Sequence, residues 1–389
     1  MDYKLLFEVS VYRKDRISSD MVDKENYIST ENMLPNRGGV EIATTVASAK
    51  TFPAYKKGDI LLSNIRPYFK KIWYADKEGG CSNDVLVVKG NKTVDNKFLY
   101  YVLSDNNFFN YSTVTSKGTK MPRGSKNAIM KYWVPDLDLP TQRKIADILS
   151  SYDELIKANN ERIELLEQVA QELYREWFVR FRFSGYENVE FENGLPEGWK
   201  IKRMNEFCYV TDGTHDTPKP VDVGVPLVTG RCISSGFVDF DAAYNISEAD
   251  HEGIKKRSGL KSGDILFSNI GTVGNCCIVD YDREFSVKNV IIFKPETMRD
   301  TAYLYYWMTS STIQEIFGIQ TNGASQQFVG LTFMRKYKLL VPKDDILEAF
   351  ADKVLPIVEQ KRLLHQENLN LAAQRDMLLP RLMSGKLEV

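Results

Sequence analysis

Residues Gly58–Ile65 read GDILLSNI, and residues Gly263–Ile270 read GDILFSNI, the same eight-residue phrase 205 positions on with one Leu/Phe exchange. Other pairs keep that offset. FLYY (Phe98–Tyr101) answers YLYY (Tyr303–Tyr306), VLVVK (Val85–Lys89) answers VIIFK (Val290–Lys294), and IAD (Ile145–Asp147) answers FAD (Phe350–Asp352). Gly118 answers Gly323, while Pro135 and Pro342 match at 207. Solenoid repeats run to about 20–50 residues, so a period this long in a 389-residue chain is a tandem duplication of something domain-sized.

Each copy is long enough to bury its own core. A hydrophobic content of 43% with 26% charged residues describes a soluble globular protein. No apolar run of 18 or more residues marks a membrane span, and the N-terminal MDYKLLFEVSVYRKDR lacks a signal-peptide pattern. Five scattered cysteines give neither a disulfide framework nor a metal-ligand spacing, which suits a reducing cytoplasm. The net charge of −1 hides a division. Residues 1–140 carry 21 basic and 16 acidic side chains, residues 141–193 carry 7 and 11, residues 194–343 carry 17 and 17, and residues 344–389 carry 6 and 8. The excess acid lies in two segments, and local basic patches rather than total charge decide nucleic-acid binding.

Those two acidic segments read as long helices. Ile145, Leu149, Tyr152, Ile156, Asn159, Ile163, Leu166, Ala170, Leu173 and Trp177 alternate steps of four and three, a heptad seam with Asn159 as its one polar position. Thr141 is the expected N-cap and Gly185 lies beyond the far end; at 1.5 Å per residue, 141–178 make a rod of about 57 Å. Offset by 205, the second copy offers Phe350, Val354, Ile357, Lys361, Leu364, Asn368, Leu371, Arg375, Leu378 and Leu382. This seam carries three polar positions, and Pro356 should kink its start. Two helices of matching length, each with an unburied stripe, are expected to pair as an antiparallel coiled coil.

The globular parts read as α/β or α+β. In GDILL and GDILF, Gly and Asp set a turn before a strand; DVLVVKG and KNVIIFKP are short buried strands. NKFLYYVLSDNNFF and DTAYLYYWMTSSTIQEIF have helical spacing, and their tyrosine stripes are expected to be core rather than a base-stacking platform. The expected domains are 1–140, 141–185 (central helix), 186–343 and 344–389 (C-terminal helix).

Catalytic signatures are missing from the sequence. There is no GxxxxGK[ST] loop, no GxGxxG after a strand, no Asn/Asp-Pro-Pro-aromatic tetrapeptide, and no nuclease-like pair of carboxylates followed by Lys. The three histidines (His215, His251, His365) form no metal-binding pattern, so neither cofactor nor metal is expected. Polar loops stand at equivalent places instead. IRPYFKK (Ile65–Lys71) answers IGTVGN (Ile270–Asn275), TVTSKGTKMPRGSK (Thr113–Lys126) answers IQTNGASQQFVG (Ile319–Gly330), and VTDGTHDTPKP (Val210–Pro220) belongs to the second copy. Arg, Lys, Asn and Gln can bond base edges, and Ser, Thr and Lys reach phosphates. Any one such loop could be only a turn. Two differing sets on one repeated scaffold read as two variable recognition surfaces.

YISTENM (Tyr27–Met33), GDILLSNIRP, LPTQRKIADIL (Leu139–Leu149), GLPEGWK (Gly194–Lys200), DGTHDTPK and the closing LLPRLMSGKLEV, in this order, resemble the specificity subunits of type I restriction-modification systems over essentially the whole chain. That resemblance implies two tandem target recognition domains, related by a pseudo-two-fold internal repeat. Each would read one half of a bipartite sequence in double-stranded DNA. The two helices would set the spacer and dock two methyltransferase subunits. Restriction subunits would complete the nuclease, and the chain itself would be non-catalytic.

Carried over by position, the DNA-binding candidates of the first copy are Asn64, Arg66, Tyr68, Lys117, Thr119 and Lys120. In the second copy they are Thr214, His215, Lys219, Asn269, Thr272, Asn322, Ser325, Gln326 and Gln327. The alternative from another class is a coiled-coil adaptor that binds two protein partners, whose binding would lack a steep salt dependence.

Overall fold

The computed structural model describes residues 2–234, 236–271, 273–321, 328–384 and 387, with the backbone alone for 319–321. The chain divides into two compact units, Met1–Asn160 with His365–Val389 and Glu161–Leu364. Both mix helix with sheet, as expected.

The repeated phrase is a turn and a core strand. In the first unit Gly58 has φ +87° and in the second Gly263 has φ +88°, a left-handed conformation that glycine adopts without Cβ strain. The following aspartate is buried in both and closes the turn with its carboxylate. Asp59 accepts from the Lys56 amide at 2.8 Å, and Asp264 accepts from the Lys261 amide at 2.9 Å. Buried Ile60–Ser63 and Ile265–Ser268 then run through the middle of four-stranded sheets.

Sheet order is the same in the two units. The first runs Ser10–Tyr12, Val85–Gly90, Ile60–Ser63, Ile72–Tyr74, and the second runs Tyr209–Asp212, Val290–Lys294, Ile265–Ser268, Cys276–Ile278. All these pairings are antiparallel. Ile60 pairs with Val88 and Ser63 with Val85; Ile265 pairs with Phe293 and Ser268 with Val290, so register is kept at the 205-residue offset. A slip of one residue would turn every core side chain to the opposite face, which is why register outlasts sequence divergence.

Helix pairs cover one face of each sheet. Asn96–Ser104 and Asn106–Val114 are separated at Asp105, which caps the second helix by accepting from the Asn107 amide at 2.6 Å. Met298–Thr309 and Ser311–Thr321 are their counterparts. Phe98, Tyr101, Phe108 and Phe109 are buried in the first core, and Tyr303, Tyr305, Tyr306 and Phe317 in the second. The aromatic stripes are therefore core. All five cysteines are free and buried, and burial, partly opposed by Arg16, pushes Cys81 up to about 12.

The central helix spans Leu139–Tyr174 and ends in a π-helical turn at Arg175–Val179; the C-terminal helix spans Asp344–Met383. They face each other antiparallel in each unit. In the first unit Ile145 and Leu149 share a core with Leu379, Leu382 and Met383, and Leu378 packs on it. In the second, Tyr174, Trp177 and Phe178 surround Phe350 at ring separations of 4.8–6.3 Å, with Val354 in the same core. Ile163, Ala170 and Leu364 are buried, while Tyr152, Ile156, Leu166, Leu173, Ile357 and Leu371 are half-buried along the same stripe.

The polar seam positions find partners on the opposite helix. Asn159 is buried and donates to Asn368 Oδ1 at 2.9 Å and to Glu367 Oε2 at 3.0 Å, while Asn368 donates to Asn160 Oδ1 at 2.8 Å. Arg375 pairs with Asp153, and buried Lys361 pairs with Glu167. Lys361, Asn368 and Arg375 are seven apart, as are Asp153, Asn160 and Glu167. The seam is thus built from matched layers, and its polar residues are no sign of weak pairing.

One detail of the helix reading needs correction. Asp138, not Thr141, caps the central helix, because its carboxylate accepts from the Thr141 amide at 2.8 Å; the bonds to Thr141 hold that carboxyl below its usual pKa. The C-terminal helix runs through Pro356 without interruption. Proline there removes one backbone donor, while seam contacts on both sides hold the turn.

Candidate nucleic-acid interface

In the first unit the chain leaves the core strand at Ser63 and enters a strained turn. Arg66 (φ +49°) and Lys70 (φ +54°) are both left-handed, on either side of a short 3-10 turn at Pro67–Phe69. Backbone bonds hold this turn from two sides. The Arg66 amide donates to Pro122 O at 2.8 Å, and the Asn36 and Arg37 amides donate to Phe69 O and Lys70 O at 2.9 Å each. The result exposes Tyr68 and Phe69, whose rings lie 4.8 Å apart, beside several cations.

The loop at 113–126 returns against this turn. Ile65 bridges Arg123, and Lys117 and Arg123 exchange two backbone bonds of 2.9 Å around a turn whose Gly118 has φ +95°. Lys117, Thr119 and Lys120 are exposed on it, so the fold gathers Arg66, Tyr68 and these three residues at one surface. Arg123, not singled out from the sequence, joins them 3.3 Å from Asp84. Its signal was present in the quoted KMPRGSK stretch, but nothing in the order of residues ties it to Ile65.

Asn64 stands apart from that group. It is buried, its carbonyl accepts from the Gly124 amide at 2.9 Å, and its amide donates to Asp84 O at 2.8 Å. Asn269 does the same in the second unit: its carbonyl accepts from the Val329 amide at 3.0 Å, and its Nδ2 donates to Val329 O at 3.2 Å. Ile270 bridges Phe328 as Ile65 bridges Arg123, again at the 205-residue offset. The two asparagines are placed as staples for the returning loops, not as exposed side chains.

The second unit builds a different surface. Thr214 is buried, with its amide donating to Val287 O at 3.0 Å and its carbonyl accepting from the Asn289 amide at 3.1 Å. His215 projects outward, its Nε2 2.8 Å from Asp212 Oδ2 and its Nδ1 2.9 Å from Asn289 Oδ1. Those bonds, the one to Asn289 first and the one to Asp212 second, raise the imidazole's pKa above its ordinary value. Asp212 also holds Arg257, and Lys288 meets Thr217. Lys219 is exposed. Thr272, Asn322, Ser325, Gln326 and Gln327 lie outside the described residues.

Arg257, Lys288 and Asn289 were not legible as surface groups. Asn289 takes a left-handed backbone (φ +51°) between two strands, which the run KNVIIFKP does not announce. Among the described residues no cluster of three or more His, Cys, Asp or Glu could hold a metal, and no helix is long and apolar enough to cross a membrane. What both surfaces offer is cations, amides and hydroxyls on rigid supports. This chemistry suits phosphates and base edges.

Comparison with known proteins agrees with that geometry. Residues 8–168 match the type I restriction modification DNA specificity domain. The chain is 25% identical over 374 residues to the MjaIX specificity subunit of Methanocaldococcus jannaschii, covering 91% of this chain and 82% of that one. It is 22% identical over 436 residues to the HindI specificity subunit of Haemophilus influenzae, covering 93% and 94%. The crystal structure of the type I restriction-modification S subunit from M. genitalium superposes with a TM-score of 0.55 at 14% identity, covering 98% and 96%, and shares the fold. Over nearly its whole length the chain is similar to type I restriction-modification specificity subunits.

Proposed function

We propose that each unit reads one half of an asymmetric, two-part site in double-stranded DNA. Residues 1–140 and 186–343 act as the two target recognition domains. The helices between and after them set the spacer and dock two methyltransferase subunits. Restriction subunits complete the assembly in the cytoplasm, and this chain performs none of the chemistry itself.

One observation carries the reading: two sheets of identical order and register support polar surface loops, 65–71 with 113–126 in the first unit and 210–220 in the second. Lys117, Thr119, Lys120, Arg66 and Tyr68 contact DNA in the first unit, and His215 and Lys219 do so in the second. Asn64, Asn269 and Thr214 hold those loops in place. Thr272, Asn322, Ser325, Gln326 and Gln327 remain contact candidates from the sequence.

A base-resolution methylation map of host DNA with and without the gene tests this. The expected result is loss of one motif, two short blocks around a fixed gap, when the gene is removed. An unchanged map refutes it. The ruler is tested by inserting seven residues after Asn160 and seven before its partner Asn368. At 1.5 Å per residue the pair lengthens by about 10 Å, so the gap should grow by about three base pairs with both blocks unchanged.

A further inference from the structure

The same turn is built from different residues in the two units. Position 66 is an arginine in the left-handed region at φ +49°; 205 residues on, position 271 is a glycine at φ +77°. Glycine is the ordinary solution there, because any Cβ is strained at such a φ. A Cβ at Gly271 would meet nothing within 4 Å, so the backbone angle alone accounts for the glycine. Arginine at the equivalent place accepts a strain that glycine avoids. Left-handed non-glycine residues persist where the surrounding structure holds them, and they concentrate at functional sites.

The surroundings of Arg66 show how it is held. Its amide is tied to Pro122 O, its carbonyl accepts from the Phe69 amide at 2.9 Å, and Pro67 follows it. The guanidinium sits 5.9 Å from the Phe69 ring centroid, and Lys71 approaches the same ring at 6.0 Å. Arg66 Nε is buried with no hydrogen-bond partner. Among the described residues no acceptor meets the rest of the fork either. An aromatic-backed guanidinium on a tethered backbone stands among exposed Tyr68, Lys117, Thr119 and Lys120.

Resting on the DNA-reading role proposed above, we infer that Arg66 is a specificity-determining residue of the first unit, donating two bonds to the O6 and N7 edge of a guanine. Bidentate arginine to guanine is the commonest base-specific pairing in the major groove, and it needs a fork of fixed plane. The second unit, with Gly271, has no side chain at that place and reads its half-site through other groups.

Methylation maps of wild type, Arg66→Gly and Arg66→Lys, with thermal melts of each, decide the matter. Glycine suits the turn, so R66G should melt no lower than wild type. Its map should lose roughly tenfold or more of the preference for guanine at one position of one block, leaving the other block and the gap intact. R66K keeps a side chain and a charge but offers no fork, so it should relax the same position. A two-block motif that survives both substitutions overturns the Arg66 assignment and leaves the function standing. An R66G protein that melts lower and loosens both blocks makes Arg66 structural and also overturns it. A wild-type map without any two-block motif overturns the proposed function, and this inference with it.

Discussion

The two units solve one structural problem with different cations. Asp59 is held by Arg13 through Nε at 2.6 Å and Nη2 at 2.9 Å, and the two side chains are 3% and 7% exposed. Asp264, at the equivalent place, is held by Lys294, which is 18% exposed. The acid is kept because it closes the turn through the Lys56 or Lys261 amide; the cation is free to come from another strand. The surfaces diverge further. The first presents lysines, Arg66 and Tyr68 on two tethered loops, and the second presents His215 within a network of Asp212, Asn289 and Arg257. Buried register is what duplication had to preserve, and exposed chemistry is where the copies were free to part.

That comparison predicts a graded set of outcomes. Asp59→Ala removes two of the three hydrogen bonds of buried Arg13, leaving the one to Asp15 at 2.6 Å, and should destabilise the first unit by about 2–3 kcal/mol. Asp264→Ala should cost less, because Lys294 can reach water. Denaturant titration of both variants checks the order, and an equal or reversed order would break the comparison. Next is the asparagine layer: Asn368→Leu removes one of the two acceptors of buried Asn159, leaving Glu367, and should cost about 0.5–1.5 kcal/mol. Adding Asn159→Leu should recover most of the loss, since two apolar residues replace both members, and thermal melts would show it.

Smaller effects fall on the surfaces. Lys117→Ala and Lys120→Ala should each reduce the slope of log affinity against log salt by about one while leaving base preference unchanged. A DNA-binding titration across salt concentrations measures this. The smallest concerns His215. Because its pKa is raised in the folded chain, the imidazolium and the stability it contributes are fully present below the unfolded value of about 6.5. They are lost as pH rises through the folded value. DNA affinity of the second unit should therefore fall over that interval, and His215→Gln should flatten the profile. The first unit, with no histidine in its loops, should show no such dependence.

Much of the scaffold could be read in advance because its causes are local. Gly58 and Gly263 announce a left-handed turn, the aspartates announce its closure, and the four-three spacing from Ile145 to Trp177 announces a seam. Lys361, Asn368 and Arg375 were visible as exceptions, but their partners Glu167, Asn160 and Asp153 sit in another helix about 200 residues away. Thr141 has the side chain of a cap, but its own amide is the donor that the Asp138 carboxylate accepts from. The surfaces were less legible for the same reason. Asn64, Thr214 and Asn269 are polar residues at strand ends, which looks like exposure in a sequence. Backbone partners 60 to 73 residues away, Gly124, Val287 and Val329, bury them. A duplicated sequence shows which positions correspond but not which of them face outward.

The most direct test of two different readers on one scaffold is a transplant. Residues 1–140 would replace residues 186–343, and the methylated motif would be mapped in a variant confirmed as folded by its thermal melt. The account predicts two copies of the first block around the original gap. A motif that keeps its second block despite the exchange would contradict it.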